Sequence, residues 1–229
     1  MAAPIPLLDK TGFVQLMGTF GDDLTVVNAA RVSFAKESTV ITEADKKLIK
    51  YLATHGHISP FFHPQIRLRL KMPIFVAREW FRHTVGFARN EVSRRYVDSE
   101  PELFLPSELR ERDPKLKQGS RGNSIENNEA VVEATKKFQA GAIDFYNTLL
   151  GEGVAPEVAR GVLPQNMYTE FIETGSLYAY ARLCTLRLDP HAQKEIREYA
   201  EALNELLLPL FPESWPWLVA KNKGWEKKE

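Results

Sequence analysis

The sequence predicts an α/β fold in one domain, and three observations predict it. Ile66 to Met72 alternates strictly: Ile66, Leu68, Leu70 and Met72 point one way, Arg67, Arg69 and Lys71 the other, as in a half-buried strand. Stretches of helical spacing lie on either side of it, among them Leu48, Tyr51, Leu52 and then Leu177, Tyr180, Ala181, Cys184. No internal repeat or linker divides the 229 residues, and a hydrophobic share of 44% supplies one sizeable core.

Taken in order, Phe13 to Phe20 reads as a short strand. Asp22 or Asp23 caps a helix carrying Leu24, Val27, Ala30 and Val32 toward Phe34, and Thr42 opens a second helix ending near His55-Gly56. His57 to His63 is a loop around Pro60 and two phenylalanines. After the alternating strand, Pro73 stands where a helix begins, since its missing N–H costs nothing there. That helix runs from Ile74 to about His83 and brings Phe75, Glu79, Arg82 and His83 within reach of one another. Residues 101–123 are polar and rich in proline and charge, a loop or partly mobile flap. Ser124 caps a long helix to Leu150, which Gly151 and Gly153 stop, and Pro156 starts a further turn toward Arg160 and Leu163. Tyr168 to Thr174 is a strand, and Gly175-Ser176 turns the chain into the Leu177 helix. Asp189-Pro190 begins the next helix, which runs toward Leu208, and the charged tail from Gly224 to Glu229 frays.

Net charge is zero, so any basic cluster is local, which counts against a general nucleic-acid binder. The single Cys184 excludes an internal disulfide and a cysteine-based metal site. The N-terminus lacks a signal pattern, and no apolar run reaches the ~18–20 residues of a membrane span. These features predict a cytoplasmic protein with no membrane and no nucleic-acid partner.

The chemistry concentrates between Arg78 and Tyr96, which hold five arginines and no lysine. A planar fork binds an oxyanion through two hydrogen bonds where lysine offers a point charge. His83, Asn90, Glu91 and Ser93 stand among the arginines, so the segment suits an anionic, planar, hydrogen-bonding ligand such as a nucleotide. A cap at the helix C-terminus explains Arg82 and His83 equally well, but not the Asn and Ser of Asn90-Glu91-Val92-Ser93-Arg94-Arg95-Tyr96. Arg160 and Arg187 each follow apolar residues, where a cation needs a carboxylate or a ligand. An internal ion pair serves as well as a ligand on spacing alone. His55, His57, His63, His83 and His191 have no carboxylate at a diagnostic offset, so no metal site is predicted. Cys184 sits on an apolar helix face as a core residue, with no cation to activate it as a nucleophile.

With these residues in hand, the chain resembles the flavin-dependent thymidylate synthases over nearly its whole length. The likeness runs through Ala29-Ala30-Arg31-Val32-Ser33-Phe34, His55-Gly56-His57-Ile58-Ser59-Pro60-Phe61 and Pro73 to His83. It continues through Asn90 to Tyr96, Val158-Ala159-Arg160-Gly161-Val162-Leu163-Pro164 and Leu186-Arg187-Leu188-Asp189-Pro190-His191-Ala192-Gln193. The resemblance implies a thymidylate synthase-complementing-protein-like α+β domain, with a mainly antiparallel sheet flanked by helices. It implies reductive methylation of dUMP to dTMP, with methylenetetrahydrofolate as carbon donor and NADPH reducing a bound FAD. A homotetramer is implied too, with active sites drawn from more than one chain.

Carried over position by position, the resemblance implies that Glu79, Trp80, Phe81, Arg82, Glu91, Val92, Ser93, Arg94, Arg95, Arg160 and Arg187 bind dUMP. Arg187 would be the catalytic group, stabilising charge at the O2 and N3 edge of the pyrimidine. FAD would meet Ser33, His57, Ser59, Arg82, His83, Thr84, Asn90, Glu91, Ser176, Leu177, Tyr178 and Arg182. The chain also departs from the family. Its signature of Arg-His-Arg, seven residues and Ser reads here Arg82-His83-Thr84, eight residues and Ser93. Arg89 is a candidate to restore the lost charge. Glu79 stands where Gln is common, with Arg82 the expected counter-charge, and Phe62 where Glu is common. Ser176, Tyr178 and Arg182 stand where Asn, Arg and Asn are frequent. A Glu79 that faced the base would accept from a cytosine amino group, which keeps a hydroxymethylase of dUMP or dCMP as an alternative. An arginine-rich, non-catalytic nucleic-acid module is the alternative from another class.

Overall fold

A computed structural model describes residues 3–97, 99–115 and 119–222. Five strands, β1 (Ile5–Leu7), β2 (Gly12–Phe20), β3 (Gln65–Pro73), β4 (Phe87–Glu91) and β5 (Tyr168–Ser176), form one sheet in the order β1-β2-β3-β5-β4. Every pairing is antiparallel, as the resemblance implied. The alternation of β3 is realised: Ile66, Leu68, Leu70 and Met72 are fully buried, while Arg67 and Arg69 are exposed. Burying such a side chain contributes about 1.5–3 kcal/mol, so a one-residue slip of register would exchange core for arginine.

Among the described residues eight helices accompany this sheet. They are α1 (Asp23–Arg31), α2 (Glu43–His55), α3 (Ile74–Trp80), α4 (Asn128–Gly151), α5 (Pro156–Ala159), α6 (Leu177–Arg187), α7 (Lys194–Leu207) and α8 (Trp215–Asn222). Trp80, Tyr180, Tyr199, Leu203, Phe211 and Trp215 complete the core with the inner row of β3. The Tyr199 hydroxyl donates to the Lys71 carbonyl at 2.6 Å and fastens α7 to the sheet. Gly12 makes that approach possible, because a Cβ there would lie 2.2 Å from the Tyr199 oxygen. Thr42 caps α2 and Ser176 caps α6, as their positions predict. Among the described residues no helix is long and apolar enough to cross a membrane.

Several expected boundaries move. The first helix closes at Arg31, and Val32–Phe34 continues as a 3₁₀ turn. The loop after His57 contains another such turn, Ser59–Phe62. Pro73 ends β3 and caps α3, which stops at Trp80, so Arg82 and His83 lie in the following turn. Ser124 does not cap the long helix. It bridges to Arg110, and α4 begins at Asn128. Asp189 likewise caps no helix: it accepts from the His191 N–H at 2.7 Å in a turn, and α7 begins at Lys194. Three short elements, β1, β4 and α8, had no strong periodic signal in so few residues. In its described residues the 101–123 stretch is tied to the body by a bridge from Leu103 to Met167 and by Arg110 on Glu195 at 2.7 and 2.9 Å. The tail from Gly224 lies outside the described residues.

Candidate active site

The strand that the sequence hides is the one that arranges the site. β4 pairs with β5 along the sheet edge and sets Arg89 directly opposite Glu173. Phe171, Glu173 and Gly175 form the inner row of β5, so Glu173 is a fully buried carboxylate. Arg89 binds it through its Nε, and the Trp80 indole N–H donates to it at 3.1 Å. Burial pushes the Glu173 carboxyl above its usual range, while Arg89 and Trp80 pull it back. The Arg89 guanidinium also lies 5.3 Å from the Phe81 ring and 4.8 Å from that of Phe87. Its Nε edge is therefore held in the protein, while Nη2 is buried with no hydrogen-bond partner among the described residues.

At the Phe87 end of β4 a cavity of about 280 Å³ is lined by Arg82, His83, Thr84, Val85, Phe87, Ala179, Arg182, Leu186 and Arg187. Arg187 stands at the last turn of α6 and is partly buried. Its Nη1 donates to the Glu79 carboxylate at 3.1 Å, its Nη2 to the Glu79 carbonyl at 3.1 Å, and its Nε to His83 Nε2 at 3.1 Å. The counter-charge of Glu79 is thus Arg187, in place of the expected Arg82, because α3 ends before Arg82 can fold back over its own helix. Three of the five guanidinium N–H groups are used, and one remains on each terminal nitrogen. Burial, then the charges of Arg187, Arg89, Arg182 and Arg82, hold His83 down at about 4. The imidazole is accordingly neutral and accepts from Arg187. Burial likewise lowers Arg187, which Glu79 opposes.

At the Glu91 end a second cavity, of about 420 Å³, includes Glu91, Val92, Arg94, Arg160, Gly161, Tyr168 and Thr169 in its lining. Thr169 donates to the Glu91 carboxylate at 2.5 Å, and the Val92 N–H to the Glu170 carbonyl at 2.8 Å. Arg95 donates to the Ser93 hydroxyl at 3.2 Å, and Arg160 to the Glu157 carbonyl at 3.2 Å. Both arginines are exposed. Arg160 therefore does not rest on buried surface, as its apolar neighbours suggested, because α5 turns it outward. The two cavities share no lining residue. Phe87 and Glu91 are four strand steps apart, about 13 Å at 3.3 Å per residue.

The remaining expected residues distribute unevenly. Arg82 and Thr84 are exposed on the first cavity, and Asn90 is exposed on β4. Trp80 and Leu177 are fully buried, so their side chains face the core and leave only backbone for a ligand. Phe81 is half-buried against Phe171, ring to ring at 4.9 Å. The Ser176 hydroxyl is buried and accepts from the Ala179 N–H at 3.2 Å. Ser33, His57 and Ser59 sit in exposed turns and line neither cavity, with His57 near the Tyr51 ring at 5.8 Å. Two departures from the family meet: the Phe62 and Tyr178 rings lie 5.3 Å apart, so an aromatic pair stands where Glu and Arg are common. Cys184 is buried with its sulfur 3.7 Å from the Ala200 carbonyl, and burial pushes its thiol up. Among the described residues no group of three His, Cys, Asp or Glu is placed to hold a metal.

Glu173 was missed by the sequence reading, although Phe171, Glu173 and Gly175 alternate with Glu170, Ile172 and Thr174 and so place it on the inner row. The donor set suits a large anionic ligand: arginines at both cavities, a neutral imidazole, and an aromatic pair beside α6.

Comparison with known proteins agrees with this geometry. Residues 15–213 match the family described as thymidylate synthase complementing protein. A flavin-dependent thymidylate synthase of Thermus thermophilus is 42% identical over 211 residues, spanning 92% of this chain and 76% of that protein. The one from Thermotoga neapolitana is 40% identical over 213 residues, spanning 93% and 91%. A crystal structure of the UMP/dUMP methylase PolB from Streptomyces cacaoi, bound with 5-Br dUMP, superposes with a TM-score of 0.82 at 30% identity, covering 94% of this chain and 97% of that one.

Proposed function

The chain belongs to the family of the flavin-dependent thymidylate synthases, and we propose that its two cavities are two halves of an active site completed between subunits of a homotetramer. The enzyme is a flavin-dependent thymidylate synthase that methylates dUMP. The observation that carries the split reading is that Arg82 and Arg187 line one cavity and Glu91, Arg94 and Arg160 another, with no common lining residue.

Arg187 faces the O2 and N3 edge of the uracil with its two unspent N–H groups and stabilises negative charge as N3 loses its proton. Such preorganised donors in a water-poor site are commonly the largest catalytic contribution. Glu79 and neutral His83 hold the guanidinium plane and leave it oriented before substrate arrives. Arg82, beside them, takes phosphate. From the other half, Ser93, Arg94, Arg95 and Arg160 bind the phosphate and sugar, with backbone N–H groups of Ser93 and Arg94. Glu91, fixed by Thr169, bridges nucleotide and flavin. The flavin is FAD, held by Arg182, His83, Thr84, Asn90 and the Tyr178 side of α6, with His57, Ser59 and Ser33 reaching it from exposed turns. When bound and reduced by NADPH, FAD would supply the hydride that turns the carbon from methylenetetrahydrofolate into a methyl group. Cytoplasmic enzymes of nucleotide synthesis use these reactants, and we place the protein there.

Arg187 engages Oε2 of the Glu79 carboxylate, which favours the uracil reading over the cytosine one. The test is tritium release from [5-³H]dUMP with FAD, NADPH and methylenetetrahydrofolate, run beside UMP and dCMP. Release from dUMP with dTMP as product is expected. A yellow protein that releases tritium from none of the three, or only from dCMP, would overturn the reading.

A further inference from the structure

We propose that the outward face of α4 docks on α4 of a second copy of this chain, antiparallel about a two-fold axis. The idea rests on the self-association proposed above and assigns it to a surface. Helix α4 is 24 residues long, and its described contacts with its own chain bury only Gln139 and Tyr146. On a flank about 100° round the helix from Gln139 and Tyr146, Val131, Phe138 and Phe145 recur every seven residues and are 40%, 67% and 53% exposed. Ala134, Gly141 and Thr148 fall between them, also exposed. This seam has the seven-residue repeat by which helices pack on helices, and among the described residues it stays largely uncovered. A Cβ added to Gly141 would meet nothing within 4 Å.

The seam is self-complementary in one orientation. Antiparallel pairing sets Phe138 of one copy against Gly141 of the other, Phe145 against Ala134, and Thr148 against Val131, so each larger residue meets a smaller one. The same register brings Lys137 beside Asp144 of the other copy, twice, because a two-fold interface is isologous. Parallel pairing instead stacks Phe138 on Phe138 and Gly141 on Gly141, leaving voids, and gives Lys137 no acid. Size and charge therefore select the antiparallel partner, a second copy of this chain.

Light scattering on the full chain across a concentration series tests this. The native chain should be oligomeric, and Phe138→Glu should lose at least half of the mass while keeping its circular dichroism. Lys137→Asp should raise the concentration at half dissociation about tenfold, since like charges then face each other twice, and Lys137→Asp/Asp144→Lys should restore it. An oligomer unchanged by Phe138→Glu would overturn the α4 assignment and leave self-association standing. Failure of the double reversal to restore assembly would overturn the antiparallel register. A native monomer would defeat the self-association reading itself.

Discussion

The cavity at Arg187 and the cavity at Arg160 are built from the same residue type and handle it in opposite ways. At the first, Arg187 is partly buried and spends three N–H groups on Glu79 and His83. At the second, Arg160 on the cavity wall and Arg95 just outside it are exposed, and their hydrogen bonds reach a main-chain carbonyl and a serine hydroxyl. The difference separates two duties of a guanidinium. One that must stabilise charge developing on a ring is fixed beforehand, because reorganisation during the reaction would cost rate. One that captures a phosphate from water is left solvated, because a buried and unpaired cation would destabilise the fold.

Beneath both lies the Arg89–Glu173 pair, and breaking it should have the largest effect. Arg89→Ala leaves Glu173 buried and uncompensated, so stability should fall by about 3–5 kcal/mol. Urea unfolding measures this, and a change under about 1 kcal/mol would mean that the pair is not buried as described. Arg187→Ala comes next: kcat/KM should fall about 10²–10³-fold, with a smaller loss of stability than Arg89→Ala because Glu79 and His83 are partly solvated. Arg187→Lys should recover little, since lysine has no fork. A loss confined to KM would assign Arg187 to binding alone and erase the contrast between the cavities.

His83 sharpens the comparison through pH. Its folded value, about 4, lies below the ordinary 6.5, so between those limits the unfolded chain binds more protons. Stability is fully present above pH 6.5 and is lost as pH falls toward 4, by ~2 kcal/mol after allowing for partial solvent exposure. His83→Gln should flatten that part of the stability profile. The smallest effect belongs to Arg160→Ala: about tenfold in KM for dUMP, near 1.4 kcal/mol, with kcat unchanged and a weaker dependence on salt.

The contrast also explains what the sequence discloses. β3 was legible because its four buried and three basic positions alternate without a break, and α2 and α6 because Thr42 and Ser176 cap them. β4 was hidden: Phe87-Ala88-Arg89-Asn90-Glu91 shows little apolar alternation, and its inward position is an arginine whose partner lies 84 residues away. The same distance effect concealed the engagement of Arg187 by Glu79, 108 residues earlier. Short-range signals such as capping and periodicity are local, whereas a cross-strand ion pair exists only once the sheet has formed. The arginine-rich segment could be read as a ligand site from composition, but the pairing of Arg89 with Glu173, beside exposed Arg82 and Arg95, could not.

Subunit complementation tests the split site most directly. Arg187→Ala is mixed with Arg95→Ala/Arg160→Ala, the two are unfolded and refolded together, and dTMP formation is compared with each parent refolded alone. If the halves come from different subunits, mixed oligomers contain sites with both halves intact, and activity should return to about a quarter of the native level, the statistical share in a symmetric assembly. If each site lies within one chain, every chain carries a broken half, and activity no higher than that of the parents would contradict the account.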